Sequence, residues 1–337
     1  MTSAKMAPVK IAVIGCGRIA TSHLAAIRTQ PDLGELVAVT DSDPQRARAA
    51  AERFGATALP GFKEVLDRVD VEAVVLCTPN ALHSAQAIEA LQAGKHVLVE
   101  KPMAEVAAEA EAMCAAAQRA QRVLAIAQSF RHSPSVRAMQ DHWADFGSLL
   151  ACEVSQCVFW DGPQAPWWAT RTPEQGLILS LFAPHALDFV QLCMRDSPLR
   201  VSAEVARHQT RWQGEDEAMI LLSYPRQRMA SVHISYNQRH VVDRILLSFD
   251  RGVLRLEDGQ LLTWNDTALM PATTSAGVAV RRMGARDFSD TFRAQMAEFA
   301  LAVRGQPHRS VLHDEGRCLI ELIDRVKRAA RSNALAT

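Results

Sequence analysis

The stretch Val9-Lys10-Ile11-Ala12-Val13-Ile14-Gly15-Cys16-Gly17-Arg18-Ile19-Ala20 decides how this chain is read. Its first half is an apolar run rich in β-branched residues, the composition of a strand buried on both faces of a parallel sheet. Gly15 and Gly17 then permit a tight turn and a close approach of backbone to a pyrophosphate. Ala20 supplies the third small position, where the next helix packs on the strand. The free N–H groups at the start of that helix, around Arg18 and Ile19, would face the phosphates. A glycine pattern alone is weak, so the acid that should follow it matters more. A second apolar run, Leu36 to Thr40, ends in Asp41, about twenty residues beyond the glycines, where a carboxylate accepts hydrogen bonds from the adenosine ribose hydroxyls and repels a 2′-phosphate. Strand, turn, helix and distal acid together predict a site for NAD, with NADP disfavoured.

Composition excludes several other classes. The 337 residues suffice for a sizeable core and for two domains. Lys+Arg and Asp+Glu both number 37, so there is no basic field for nucleic acid, and no Lys/Arg run suggests a membrane patch. The seven cysteines, at 16, 77, 114, 152, 157, 193 and 318, are scattered and lack paired metal-ligand spacing. No metal is expected, and a reduced, cytoplasmic setting is the simplest reading. No apolar stretch reaches the roughly eighteen residues of a membrane span. Met1 to Pro8 read as a loose tail.

Beyond Asp41, helices are predicted over Pro44 to Phe54, ended by Gly55, over Ala81 to Ala93, capped by Asn80 and ended by Gly94, and over Glu105 to Gln121. They alternate with strands at Ala73 to Cys77, His96 to Val99 and Val123 to Gln128. Such alternation requires right-handed crossovers and an α/β fold with a doubly wound parallel sheet of Rossmann type, assigned to residues 1–130. After Phe130 the rhythm changes. A helix over Ser133 to Trp143 precedes a long strand, Leu149 to Phe159, and a loop containing Trp167 and Trp168. The stretch Gly176 to Met194 is helical in spacing, although Pro184 must kink it or start a new turn. Six segments between Val201 and Trp264 read as one largely antiparallel sheet. Thr267 to Arg286 reads as a long loop, and amphipathic helices over Phe292 to Arg304 and His313 to Arg331 close the chain. Residues 131–337 are therefore assigned to an α/β domain for substrate binding and oligomerisation, whose closing helices can pack back toward the first. An open sheet with helices on one side needs cover on the other, so a homodimer or homotetramer joined through it is expected.

Ligands of an open parallel sheet lie beyond the carboxyl ends of its strands. The loops at 15–20, 78–83 and 100–102 all follow such ends, so Thr78, Pro79, Asn80 and His83, together with Glu100 and Lys101, are expected to converge with the glycine turn on one cofactor. His83 either faces a ribose or caps and solvates a helix start. Lys101 is either positioned to donate a proton to a carbonyl or alkoxide, or paired with Glu100 at the surface.

Taken in order, Gly15 to Ala20, Val39-Thr40-Asp41, Thr78-Pro79-Asn80 with His83, Glu100-Lys101-Pro102, Phe130-Arg131 and Pro184-His185-Ala186-Leu187-Asp188 make the chain resemble the Gfo/Idh/MocA family. That family holds NAD(P)-dependent dehydrogenases of sugars and cyclitols. The resemblance implies a Rossmann domain followed by an α/β domain with an open, mainly antiparallel sheet. It places Lys101 near the reacting hydroxyl, makes His185 the acid/base, and adds Arg131 to the cofactor residues. One position departs from the pattern: where many relatives carry Asp or Asn, four residues before the histidine, this chain has Leu181, which can neither polarise a hydroxyl nor hold an imidazole. Asp188, one turn beyond His185, orients it or makes a structural hydrogen bond; His185 itself is catalytic or a satisfied core histidine. Phe130, Arg131, Trp160, Trp167 and Trp168 could line a sugar-sized pocket, or serve as core. Arg281, Arg282 and Arg286 could meet a phosphate or carboxylate, or belong to a solvated loop. The implied activity is an oxidoreductase acting on a sugar or polyol. Two other readings are an NAD-retaining glycosidase and a non-catalytic dinucleotide-responsive regulator of the same fold.

Overall fold

Every residue of the opening apolar run except Lys10 is buried, and the run forms a central strand. The computed structural model describes residues 7–172, 174–258, 261–270 and 289–334. In chain order its elements begin β1 (Val9–Ile14), α1 (Arg18–Arg28), β2 (Gly34–Thr40), α2 (Pro44–Phe54), β3 (Thr57–Ala58), α3 (Phe62–Asp67), β4 (Ala73–Leu76), α4 (His83–Gln92), β5 (His96–Glu100), α5 (Ala107–Ala120) and β6 (Leu124–Ala127). They continue with α6 (Pro134–Asp141), β7 (Leu149–Phe159), α7 (Pro166–Ala169), α8 (Ile178–Leu181), α9 (Ala183–Met194), β8 (Arg200–Ala206), β9 (Glu217–Ser223), β10 (Met229–Ser235), β11 (Asn237–Phe249), β12 (Gly252–Glu257), β13 (Leu261–Trp264) and β14 (Thr267–Met270). The last are α10 (Ser289–Val303), β15 (Val311–Leu312) and α11 (His313–Ala334).

The chain divides into two units: Met1–His132 with Asp287–Ile320, and Ser133–Arg286 with Glu321–Thr337. The first unit holds a sheet of order β15-β6-β5-β4-β1-β2-β3, parallel except for the pairing of β15 with β6. This is the doubly wound Rossmann arrangement, with the strand order reversing at β1. Gly55 ends α2 as expected, while the Asp43 cap was not read from the sequence. Asp43 caps α2 by accepting the Gln45 N–H, and Gly55 stops it at φ 71°. Helix α10 belongs to this unit because Phe292, Met296 and Phe299 share a core with Leu24 and Ile27 of α1. Each such side chain contributes on the order of 2 kcal/mol by leaving water. Arg304 then donates to both carboxylate oxygens of Glu72, at 2.7 and 3.0 Å, and to the carbonyls of Ala7 and Pro8.

The second unit holds an eight-stranded sheet of order β14-β13-β12-β11-β7-β10-β9-β8, antiparallel apart from the pair β10 and β7. Alternation sends Val154, Ile220, Leu222, Val232, Ile234, Ile245 and Leu247 to one buried face, and α9 lies against β7 and β10. The other side presents Met219, Leu221 and Met229, each about half exposed. A groove of about 390 Å³ there is lined by Glu153, Ser155, Ser202, Glu204 and His233 among others.

Some expectations are corrected. Asn80 does not cap a helix: Asn80–Leu82 is a 3-10 turn and the α-helix starts at His83. The stretch Gly176 to Met194 is two helices that break at Phe182, with Pro184 in the first turn of the second. Strand β11 starts at Asn237, eight residues before the predicted Ile245, since its first half, with Arg239, His240 and Asp243, lacks an apolar signature. Residues 267–270 form an edge strand, not loop. The rest of the predicted loop, with Arg281, Arg282 and Arg286, and Met1 to Met6 of the predicted tail, lie outside the described residues.

His96 at the start of β5 gives this unit an acid limit. Its Nδ1 accepts the Val123 N–H at 3.0 Å, and burial, with the Arg122 charge next, pushes its pKa down to about 4. A histidine whose folded pKa is depressed stabilises fully above its unfolded value near 6.5, and that contribution is lost as pH falls toward the folded value. We expect His96→Gln to lose less melting temperature between pH 7 and pH 5 than the wild type; an equal loss in calorimetry refutes this.

Candidate active site

The glycine turn is held from three sides. Gly15 has φ 86°, and a Cβ there would sit 2.8 Å from the Cys77 carbonyl oxygen, so a side chain is excluded by both backbone and space. The Gly15 N–H donates to the Thr40 carbonyl at 2.8 Å. The Cys16 N–H donates to Asp41 Oδ2 at 2.6 Å, while Asp41 Oδ1 accepts the Asp43 N–H at 2.8 Å. Asp41 thus stands beside the turn with its charge fixed by main-chain donors. Burial, together with the Asp41 charge, pushes the Cys16 thiol up to about 11, so it stays protonated. Gly17 differs from Gly15. It precedes α1 with no side-chain cap, at φ −74°, and a Cβ there would meet nothing within 4 Å. Open space over an uncapped helix N-terminus, flanked by exposed Arg18 and Ile19, fits a diphosphate.

The second loop brings Thr78 and Asn80 to the same strand ends. Thr78 donates its hydroxyl to Gln86 Oε1 at 2.6 Å, and Pro79 is exposed. Asn80 is 7% exposed and its Nδ2 has no partner among the described residues. Gln128, just past β6, leaves its buried Nε2 in the same state. Buried amide donors with nothing to bond are costly unless a ligand supplies an acceptor, which again fits a polar dinucleotide. Gln128 was not singled out from sequence, where one glutamine after a strand carries no signal.

His83 neither caps a helix start nor faces solvent. The preceding 3-10 turn rotates it inward, where it is fully buried with Nδ1 2.8 Å from the Pro102 carbonyl and Nε2 2.8 Å from the Thr78 carbonyl. His83 thereby sits between the carbonyls of the second and third loops, and whichever nitrogen carries the hydrogen donates to its carbonyl. Burial is the largest influence on its pKa and lowers it.

The third loop also departs from the surface-pair reading. Glu100 is buried, its Oε1 lies 2.8 Å from His23 Nε2, and its Oε2 accepts the Lys101 N–H at 3.1 Å. Burial is the largest influence and opposes its ionisation, but the His23 hydrogen bond together with the neighbouring His23, Lys101 and His83 groups outweighs it and holds the carboxyl below its ordinary value. Lys101 is half-buried. Burial pulls its ammonium below the ordinary lysine range, with Glu100 opposing that and Arg18 adding to it. Arg131 is buried and pairs with Glu315 at 2.5 Å.

Within the second unit, His185 lies in the first turn of α9, half-buried, with the Phe182 ring edge-on at 6.2 Å. Phe182 in turn meets Tyr236 at 5.5 Å, on which Trp168 stacks at 6.0 Å. Trp168 thus joins an aromatic array that leads to the histidine. Trp160 and Trp167 are half-buried, as is Phe130 in the first unit. Leu181 and Asp188 are both buried. Glu215, which sequence reading passed over, accepts the Leu177 and Leu179 N–H groups at 2.9 and 3.0 Å, at the start of the helix that carries Leu181. Burial raises its pKa. Among the described residues, no group of three or more His, Cys, Asp or Glu is placed to hold a metal ion, and no helix is long and apolar enough to cross a membrane.

The chain is similar to known proteins over most of its length. Residues 9–128 match the family model described as oxidoreductase family, NAD-binding Rossmann fold. Residues 142–255 match the GFO/IDH/MocA C-terminal domain. A D-apiose dehydrogenase of Paraburkholderia graminis is 31% identical over 73% of this chain and 67% of its own length. A dTDP-3,4-didehydro-2,6-dideoxy-alpha-D-glucose 3-reductase of Streptomyces violaceoruber is 34% identical over 60% of this chain. The chain spans 58% of the length of that reductase, and 58% of a 1,5-anhydro-D-fructose reductase of Ensifer adhaerens. A levoglucosan dehydrogenase solved with NADH and L-sorbose shares the fold at TM-score 0.85 and 19% identity, over 97% of this chain and 98% of that one.

The two glycines separate by experiment. Gly15→Ala is expected to cost roughly 2 kcal/mol of unfolding free energy and to abolish dinucleotide binding. Gly17→Ala should unfold as the wild type does yet bind NADH more weakly; urea titration and NADH fluorescence check both.

Proposed function

Because the chain belongs to the Gfo/Idh/MocA family of oxidoreductases, we propose that it is an NAD-dependent enzyme interconverting a secondary alcohol and a ketone on a sugar, sugar derivative or cyclitol. The observation that carries this reading is Lys101: a half-buried lysine of lowered pKa at the same strand ends as the glycine turn, Asp41 and the unpartnered Asn80 amide. The named relatives above are a dehydrogenase and two reductases of sugar substrates. In this assignment residues 1–130 bind the dinucleotide, through Gly15, Gly17, Arg18, Ile19, Asp41, Thr78, Pro79 and Asn80. Residues 131–337 bind substrate.

When bound, NAD+ supplies the acceptor for the hydride that leaves the hydroxyl-bearing carbon. His185 takes the hydroxyl proton, and the Lys101 ammonium stabilises the alkoxide as it forms. In reverse, the same two groups polarise the ketone and return the proton. Leu181 leaves no carboxylate four residues before the histidine, so the ammonium and the imidazole carry the proton chemistry between them. Asp41 selects NAD by meeting the adenosine ribose hydroxyls with a charge that a 2′-phosphate cannot approach. Trp168 and Phe182, half-buried and packed on the buried Tyr236, offer aromatic faces to the C–H surface of a sugar ring.

The half-exposed Met219, Leu221 and Met229 support a second copy of the chain covering that side of the sheet. None of the seven cysteines forms a disulfide among the described residues, in keeping with a reducing, cytoplasmic setting.

Four measurements test the proposal. A panel of aldoses, deoxy sugars and cyclitols offered with NAD+ should include one that raises absorbance at the wavelength of reduced nicotinamide; sugar release without net reduction, or binding without either, refutes the dehydrogenase reading. Lys101→Ala should lower kcat by about two to four orders of magnitude while NADH binding stays within a few-fold. Asp41→Ala should shrink the NAD-over-NADP preference by at least tenfold, and an unchanged ratio removes Asp41 from ribose recognition. Met219→Asp with Leu221→Asp should shift the protein to monomer in sedimentation if the sheet joins two copies.

A further inference from the structure

His23 takes no part in the chemistry above, yet its side chain is completely buried, one turn and a half into α1. Its ring stands edge-on to Phe292 of α10, centroids 5.0 Å apart at 90°, which holds the imidazole plane. Its Nε2 lies 2.8 Å from Glu100 Oε1, and the other oxygen of that carboxylate accepts the Lys101 main-chain N–H. A carboxylate only accepts, so Nε2 carries the hydrogen of this bond. Nδ1 is buried and has no partner among the described residues. The hydrogen bond fixes the carboxylate beside the Lys101 main chain.

Resting on the reading that Lys101 is the proton-handling lysine, we propose that His23 is a positioning residue. By hydrogen bonding to Glu100 it keeps a full negative charge against Lys101 and so sets the pH at which the lysine gives up its proton. The charged groups that bear on the pair come from several elements. Arg18 at the start of α1 faces the lysine. His83 at the start of α4, with Cys77 at the end of β4, faces the carboxylate. Among them Glu100 is the one whose charge favours the ammonium, and His23 is its side-chain hydrogen-bond donor. Loss of that donor lets Glu100 take up a proton or turn away, and Lys101 then deprotonates at lower pH.

The sequence holds six lysines, few enough for a direct measurement. The protein is reductively methylated with 13C-formaldehyde and the dimethyl-lysine signals are titrated by NMR, with Lys101→Arg identifying the Lys101 signal. We expect His23→Leu to move the Lys101 midpoint down by about one pH unit and His23→Gln, whose amide can donate to the carboxylate, to restore most of it. Glu100→Gln, which keeps the volume and one of the two acceptor oxygens while removing the charge, should give the same downward move, should His23→Leu not fold. An unmoved midpoint in Glu100→Gln overturns the proposal, and so does an upward move in a folded His23→Leu protein, since that would mean the histidine was shielding the carboxylate. The kcat–pH profile read on the same variants should shift its Lys101 limb by the same amount. A moved NMR midpoint with a fixed kcat profile upholds the role of His23 and instead removes Lys101 from the proton chemistry.

Discussion

The approach of Gly15 to the Cys77 carbonyl is the constraint on which the first unit's site depends. At 2.8 Å from where a Cβ would be, with φ 86°, the turn after β1 lies directly on the end of β4, and its N–H reaches the end of β2 through Thr40. Three strands are thereby brought into step at their carboxyl ends. Asp41, the Asn80 turn and the Glu100-Lys101-Pro102 loop inherit their places from that registration. Position 15 is therefore closed to any side chain, whereas position 17, two residues on, is closed only by what must fit above it.

Much of the fold was legible because two periods dominate the sequence. Runs of buried β-branched residues between helix signals locate β1, β2, β4, β5 and β6, and Gly55 marks the end of α2. What was not legible depends on partners distant in sequence. Nothing near His23 announces Glu100, 77 residues away, and nothing near Arg131 announces Glu315, 184 residues away. His83 could be placed on a loop but not turned, because its orientation follows from a 3-10 turn that Asn80 forms instead of capping a helix. The first half of β11 was missed for a related reason: its pairing with β7 resumes only at Val242 after a break in register, so no alternation marks it.

In the second unit the candidate residues are set by packing. Two buried acids stand where the chain would otherwise leave donors unsatisfied. Glu215 takes the amides that open α8, and Asp216 accepts from the His208 and Gln209 N–H groups, the Trp212 indole and Asn237. Neighbours in sequence, they pin the segment that opens α8 on one side and the loop before β9 on the other. The aromatic array of Trp168, Tyr236 and Phe182 that leads to His185 rests on this frame, and Leu181 is part of the apolar packing beneath it.

Arg304 clasps Glu72 together with the carbonyls of Ala7 and Pro8, and β15 adds Val311 and Leu312 to the edge strand β6. The nucleotide-binding unit is thus completed by residues made after nearly all of its companion. During synthesis the early strands leave the ribosome without the helix that covers Leu24 and Ile27 and without a partner for β6, so that apolar surface and that bare edge persist while the second sheet is being translated. A truncated chain stopping near His132 would carry both defects permanently. Vectorial synthesis and the discontinuous layout together make the carboxyl-terminal helices a late closure, and the first unit reaches its native stability only after translation has passed them.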